Sequence, residues 1–470
     1  MERSLRRLSA GSNVLSFSYA ALWASFVAAS WFTSYPVVHA YDPPPVSCDE
    51  TVRSTPRPVS SGDEEQRPIP SHWMFGANKR DGLFLKSPDD QFFLQAKGLL
   101  QLDYRSFPGG QEQGSPRVGG PGFFVQRARP MLTACVYRQI KLQFTPDFGN
   151  GLEPPPQLFI ANVEWDRFSY ARLAYGLMKV PASLEVIQSI QNAPFMERSL
   201  VRNLVPLVAI GGTVSGQAWE NQLEYQIGFW NDTPSGNLFS SGEAFSSPST
   251  LTAHVFVRPL YRDGPEWLKG LGLGLGITQG WIFDRAGQFP MQTETFSLTF
   301  FEFNSNVTGG GPRTRLLPHL AWYWKRVGFL TEYVRKSTRE KMANGPSARF
   351  TADAWSVQGS LFLTDDTASF GEVRPRRPFT RMQAGYWGAW QVAVRYSEVR
   401  LDPDTFSLGF ADPTNNAREA KSTAVALNWY LDSSLRLSVH YAHTDLTGAI
   451  PSYSGVRRED GLMFRAQMTY

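Results

Sequence analysis

From residue 93 to the last residue, Tyr470, the chain repeats one pattern: apolar and polar side chains alternate with a period of two, break at a turn, and resume. In residues 93–105, Leu94, Ala96, Gly98, Leu100, Leu102 and Tyr104 alternate with Gln95, Lys97, Gln101, Asp103 and Arg105. Period two is the signature of a strand with one apolar and one polar face. A soluble β-sandwich turns the apolar face inward. A membrane barrel turns it outward to lipid and keeps the polar face on a water-filled interior. No run after residue 40 comes near the roughly 18 uninterrupted apolar residues of a helical span, so a membrane location requires a closed barrel that pairs every backbone group.

Strands are expected at residues 93–105, 124–138, 140–147, 158–166, 168–179, 210–214, 222–230, 251–262, 271–283, 296–303, 316–325, 327–339, 350–364, 389–401, 422–431, 435–444 and 461–470. That makes sixteen or seventeen strands. Single-chain bacterial barrels use even numbers, so the expectation is an all-β transmembrane antiparallel barrel of 16 strands. Pro130 predicts a bulge or ladder defect in the second strand. Aromatics are 14% of the chain, and Trp322 with Trp324 and Trp429 with Tyr430 sit near strand ends, where interfacial girdles belong. The last strand alternates Leu462, Phe464, Ala466, Met468 and Tyr470 with Gly461, Met463, Arg465, Gln467 and Thr469 and ends on the aromatic itself. This resembles the terminal signal by which the barrel-assembly machinery recognises bacterial outer-membrane barrels.

One stretch breaks the alternation for long enough to need its own explanation. After Lys179-Val180-Pro181 the strand pattern lapses until about residue 208, and the interval holds Glu185, Glu197, Arg198 and Arg202 among small apolar residues. A connection this long in a compact domain is either a functional insert or a misread element. The expectation is an infolded constriction loop over residues 180–208.

The N-terminus reads as an export signal over residues 1–40: Arg3, Arg6 and Arg7 lead, a mostly apolar run follows, and Val38-His39-Ala40 offers a cleavage site. The run is also close to the length of a membrane anchor, although serines dilute it. Cleavage would remove three Arg and one Glu, reducing the formal net charge from +4 to +2. Such a charge predicts no nucleic-acid partner. Residues 41–80, rich in Pro, Ser and Glu, read as a flexible linker. Residues 81–470 are left for the barrel. Cys48 and Cys135 suggest neither a disulfide framework nor a metal site.

Several motifs together resemble the family of phosphate-selective porins O and P. Gly176-Leu177-Met178-Lys179-Val180-Pro181-Ala182-Ser183-Leu184-Glu185 is similar to the family's Gly-Gln-Phe-Lys-Glu-Pro-Phe-Ser-Leu-Glu, and Phe195-Met196-Glu197-Arg198-Ser199 to its Phe-Met-Glu-Arg-Ser. Gln126-Arg127-Ala128-Arg129 resembles an Arg-Arg-Ala-Arg strand motif, and the stretches at 388–397 and 427–430 resemble late strands of the family. The resemblance implies a passive, usually trimeric porin whose infolded third loop and basic wall pass phosphate or related anions, with no cofactor. It also exposes departures: Gln126 stands for an arginine, Val180 for an acidic residue and Ala182 for an aromatic. Where the family has Ala-Pro-Gly-Arg-Arg-Ile-Gly, this chain has Val205-Pro206-Leu207-Val208-Ala209-Ile210-Gly211, so two basic positions are apolar.

Lys97, Arg127, Arg129, Arg258, Arg436 and Arg465 fall on the expected inner side of their strands, and Lys179, Arg198 and Arg202 lie at or in the loop. These nine are the candidates for lining the pore and attracting anions. The bland reading is that they are solvated or paired, Arg129 and its like with Asp103, Asp147, Glu164 and Asp166, and the loop cations with Glu185 and Glu197, including a Glu197–Arg198 neighbour pair. Three function classes stay in view: an anion porin of the bacterial outer membrane surrounded by its lipid, with a general-diffusion porin of weak selectivity as its nearest variant; a non-conducting structural or adhesive barrel; and an outer-membrane hydrolase. The last lacks a G-x-S-x-G motif, and alternation puts its best base, His440, on the opposite face from Asp445.

Overall fold

The computed structural model describes residues 72–78, 81–108, 121–149, 157–231, 250–286, 290–295, 298–380, 382–448 and 457–470. The expected signal over 1–40 and most of the expected linker lie outside the described residues. The linker expectation is corrected at its end: Met74–Asn78 is a strand (β1) paired antiparallel with Gly82–Lys86 (β2), and this hairpin joins the sheet through β2.

The wall begins with β3 (Phe92–Ser106), β4 (Gly122–Val136), β5 (Ile140–Asp147), β6 (Gln157–Phe168) and β7 (Ala171–Lys179). It continues with β8 (Val208–Ala218), β9 (Leu223–Trp230), β10 (Thr250–Val257) and β11 (Leu271–Ala286). Two short strands, β12 (Met291–Gln292) and β13 (Thr299–Phe301), pair only with each other. The wall resumes with β14 (Val307–Trp324), β15 (Val327–Met342), β16 (Ser347–Phe362), β17 (Ala389–Leu401), β18 (Glu419–Tyr430), β19 (Leu435–Thr447) and β20 (Arg458–Thr469). Each wall strand is antiparallel to the next, and β20 returns to β3 through Leu462↔Ser106 to Thr469↔Leu99. Gly98 N donates to Tyr470 O at 3.0 Å and Tyr470 N to Gly98 O at 3.2 Å, extending the closing seam to the last residue. The result is a closed sixteen-stranded barrel. The expected wall strand at 296–303 is corrected: its central part is β13, outside the wall.

Alternation sets the two faces as barrel physics requires. In β3, Leu94 and Leu102 face out while Gln95, Gln101, Asp103 and Arg105 are buried within. Val425, Leu427, Val439 and Phe464 repeat the outward apolar choice on the far side of the seam. In lipid no water can satisfy a stray backbone group, so closure of the ladder removes the edges that would otherwise be costly. The register irregularity in β4 falls at Gln126, between the pairs Gln101↔Arg127 and Leu102↔Val125, and not at Pro130, which stays in register opposite Gly98. Pro130 does accompany a ladder defect, because β4 pairs with β5 only from Leu132 onward.

Turns at one rim are tight. Tyr137 and Arg138, between β4 and β5, take φ of 53° and 56°, the left-handed geometry of a hairpin turn whose twist matches its strands. Two contacts offset the strain of placing non-glycine residues there. Tyr137 packs on Phe92 with ring centroids 5.2 Å apart, and Arg138 donates to the Asp89 and Asp90 carbonyls. Connections at the opposite rim include residues 180–207 and the stretch holding β12 and β13. Of the expected girdle aromatics, Trp322 and Trp324 stack outside at 6.4 Å and Trp429 stacks on Trp390 at 5.1 Å. Tyr430 is corrected: it is buried on the inner face, where its hydroxyl donates to Gln391 at 3.0 Å.

Candidate functional site in the barrel interior

The inner wall is not uniformly polar, and the exceptions mark where chain is packed against it. Leu317 on β14, Val334 on β15, Ala354 on β16 and Val399 on β17 all point inward and cluster with Val201, Leu204 and Val205 of residues 180–207. Lipid-facing strands gain nothing from inward leucine or valine unless something apolar covers it. On β11 the inward positions include Gly272, Gly274, Gly276 and Gly280. A Cβ on Gly276 would stand 2.0 Å from the Ala182 carbonyl oxygen, so the glycine is what lets the segment's backbone lie against the wall.

Residues 180–207 are pinched at their base, where Val180 N donates to Leu207 O at 3.1 Å. Ser183 caps a single helical turn, Leu184–Ile187, accepting from Val186 N, and Ser199 caps a 3-10 turn, Leu200–Asn203, accepting from Val201 N. The Glu185 carboxylate ties the two turns together, accepting from Ser199 N at 3.0 Å and Ser199 Oγ at 2.8 Å. The segment then reaches across the interior. Its carbonyls accept from the wall: Ala193 O from Arg436 at 2.8 Å, Pro194 O from Asn428 at 2.8 Å, Met196 O from Arg465 at 2.5 Å, and Leu204 O from Arg315 at 2.8 Å. Arginine suits this task because its planar fork satisfies several acceptors at fixed angles.

Glu197 is the hub. Arg127 grips its carboxylate with both terminal nitrogens, at 3.2 and 2.8 Å; Arg465 donates at 2.8 Å and Arg105 at 3.5 Å. Asp103 accepts from Arg465 at 2.6 and 2.8 Å and from Arg105 at 3.0 Å. Burial works to raise the Glu197 pKa, but Arg127 and Arg465 more than offset it and hold the carboxyl well below the usual carboxylate range. The expected Glu197–Arg198 pair is not formed. Arg198 donates instead to Glu185 O at 3.0 Å and Gln188 O at 3.5 Å.

The remaining sequence candidates divide in two. Arg129 pairs with Asp147 at 2.7 Å and lies over the Phe159 ring at 3.7 Å. Arg258 pairs with Glu224 at 2.5 Å on the tight-turn rim. Arg436 also donates to Gln467 at 2.9 Å, and Arg202 to Gln292 at 3.2 Å. Lys97 lies on the inner face of β3, partly exposed. Lys179 differs: among the described residues its Nζ donates to the carbonyls of Ile187 and Gln188, both at 3.2 Å. Lys179 and Arg198 therefore share the Gln188 carbonyl, both are partly exposed, and neither has a carboxylate within ion-pair distance among the described residues.

Sequence reasoning missed a second inward element. Between β11 and β14, Glu294 is fully buried and accepts from Arg395 at 3.0 Å and Ser397 at 2.6 Å. Arg105 donates to Thr295 O at 2.5 Å, and Asn203 exchanges hydrogen bonds with Gln292 at 2.9 and 3.0 Å, so the two inward segments lock to each other. Arg395 completes the link by donating to Glu185 and to Glu197 O. Arg105 and Arg395 were readable as inward residues from alternation, and the inward leucine and valine of β14, β15 and β17 were the available sign that something covered them.

Comparison with known proteins adds an independent result. The family model for phosphate-selective porin O and P matches residues 94–470. Porin O of Pseudomonas aeruginosa is 20% identical over 412 residues, covering 83% of this chain and 91% of its own. Among solved structures, the outer membrane channel DcaP of Acinetobacter baumannii aligns with a TM-score of 0.52 at 9% identity, over 82% of this chain and 99% of that one. Outer-membrane expressed OmpT of Vibrio cholerae aligns at 0.50 and 12% identity, over 82% and 100%.

Proposed function

Because the chain belongs to the phosphate-selective porin O and P family, and so is a channel of the bacterial outer membrane, we propose that it passes small anions, with phosphate and related oxyanions as preferred solutes. Residues 180–207 act as the constriction. Solutes diffuse down their gradient with no cofactor and no covalent step. The signal over 1–40 directs export, Tyr470 closes the strand presented to the assembly machinery, and the working unit is a homotrimer, as in the family.

One observation carries the anion preference. Lys179 and Arg198 converge on one carbonyl of the constriction, and among the described residues neither has a carboxylate within ion-pair distance. An oxyanion passing this point gains charge-assisted hydrogen bonds in place of part of its hydration shell. The test is the permeability ratio of purified protein in planar bilayers. Lys179→Gln with Arg198→Gln lowers the anion-to-cation ratio; an unchanged ratio contradicts the assignment.

A second observation favours the weaker variant, a general-diffusion porin. Arg105, Arg127, Arg129, Arg258, Arg395 and Arg465 each contact a buried carboxylate. The expected basic track is thus largely neutralised from within, and chloride and phosphate would then pass with little distinction.

A further inference from the structure

One loop at the tight-turn rim is far longer than its neighbours and lies on both faces of the wall. It joins β16 to β17 over residues 363–388. Its first arm enters the mouth: Phe370 and Val373 are buried in a cluster with Tyr323 and Tyr430, and Phe370 O accepts from Gln188 of the infolded segment at 2.9 Å. Its second arm turns outward. Phe379 packs edge-on against Trp429 at 5.4 Å, Phe379 N donates to Leu431 O at 2.6 Å, and Trp429 Nε1 donates to Trp387 O at 2.7 Å. Tyr430 inside and Trp429 outside are consecutive residues, so the loop straddles the rim.

The outward arm leaves a surface that water alone does not explain. Met382 is 95% exposed and Trp387 64% exposed, in the same loop as the exposed Arg376 and Arg377. This patch is continuous with the stacked pair Trp390 and Trp429 on the lipid-facing side of the barrel. An amphipathic aromatic beside cations is the composition that settles at a membrane–water boundary. We propose that this arm is a foot resting on the phospholipid surface of the leaflet at the tight-turn rim, with Met382 and Trp387 entering the headgroup boundary and Arg376 and Arg377 lying on lipid phosphates. In bacterial barrels that rim faces the periplasm.

The experiment uses the full chain with Cys48→Ser and Met382→Cys, the remaining Cys135 being buried, and a nitroxide on residue 382. Reference labels stand at Val425→Cys on the lipid face and Asn344→Cys in an exposed turn of the opposite rim. In vesicles of phosphatidylcholine with phosphatidylglycerol, the ratio of oxygen to aqueous nickel-chelate accessibility at 382 is expected to exceed that at 344 severalfold and to approach that at 425. A ratio at 382 equal to that at 344, including one caused by a covering protein partner rather than lipid, overturns the proposal. Arg376→Gln with Arg377→Gln is expected to lower the ratio in phosphatidylglycerol vesicles and leave it unchanged in pure phosphatidylcholine. An unchanged ratio in both overturns the role of the arginines.

Discussion

Arg127 of β4 holds Glu197 of the infolded segment through two parallel hydrogen bonds, at 3.2 and 2.8 Å, in a setting where both side chains are almost wholly buried. The pair joins the barrel wall to the segment that crosses it. It also spends the charge of an arginine that alternation alone would assign to the pore.

Replacing Glu197 with Gln leaves Arg127, Arg465 and Arg105 around a neutral amide. Breaking one side of a buried ion network costs about 3–5 kcal/mol. The expected outcome is a lower unfolding midpoint in detergent together with a higher anion-to-cation permeability ratio, because Arg127 loses its carboxylate partner and Arg465 and Arg105 keep only Asp103. A stability loss with an unchanged ratio would make the network purely structural.

Acid should loosen the same anchor. The folded Glu197 pKa lies below its unfolded value, so its contribution to stability is complete above the ordinary carboxylate range of about 4.3 and is lost as pH falls through and below it. Unfolding midpoints measured in detergent should be level from neutral pH to about 5 and decline beneath about 4. In Glu197→Gln the decline should be smaller.

Gly276 keeps the wall clear for the segment. Gly276→Val places atoms where the Ala182 carbonyl lies, 2.0 Å from an added Cβ, and neighbouring backbone cannot yield cheaply. The barrel should still fold, because its ladder does not involve the segment, but the segment should be displaced. Single-channel conductance should rise, and a folded variant of unchanged conductance would show that residues 180–207 do not limit the passage.

Arg258→Gln serves as the comparison at a cation that already has a carboxylate partner. Its carboxylate partner is Glu224 on the tight-turn rim, whereas Lys179 and Arg198 meet at the Gln188 carbonyl. Selectivity in planar bilayers should not change.

Most of the wall was legible because lipid on one side and water on the other force strict alternation, and Ala389–Leu401 was bounded correctly from sequence. The faces of β3 and β20 followed from the same rule. Partners were not legible. Whether Arg465 meets solvent, Asp103 or Glu197 depends on which strands the closure brings together, with Arg465 and Asp103 separated by most of the chain. Glu197 sits one residue before Arg198, yet backbone geometry sends the two side chains to different partners. Residues 296–303 read as a wall strand, whereas the alternating Leu298 and Phe300 reflect packing inside the lumen.

Ion preference at the constriction is the property that most directly distinguishes an anion channel from the alternatives. Wild-type protein in a planar bilayer under a potassium chloride gradient should conduct, reverse at a potential of the sign set by chloride, and lose chloride current when phosphate is added. A reversal potential of the opposite sign, set by potassium, would contradict the anion preference.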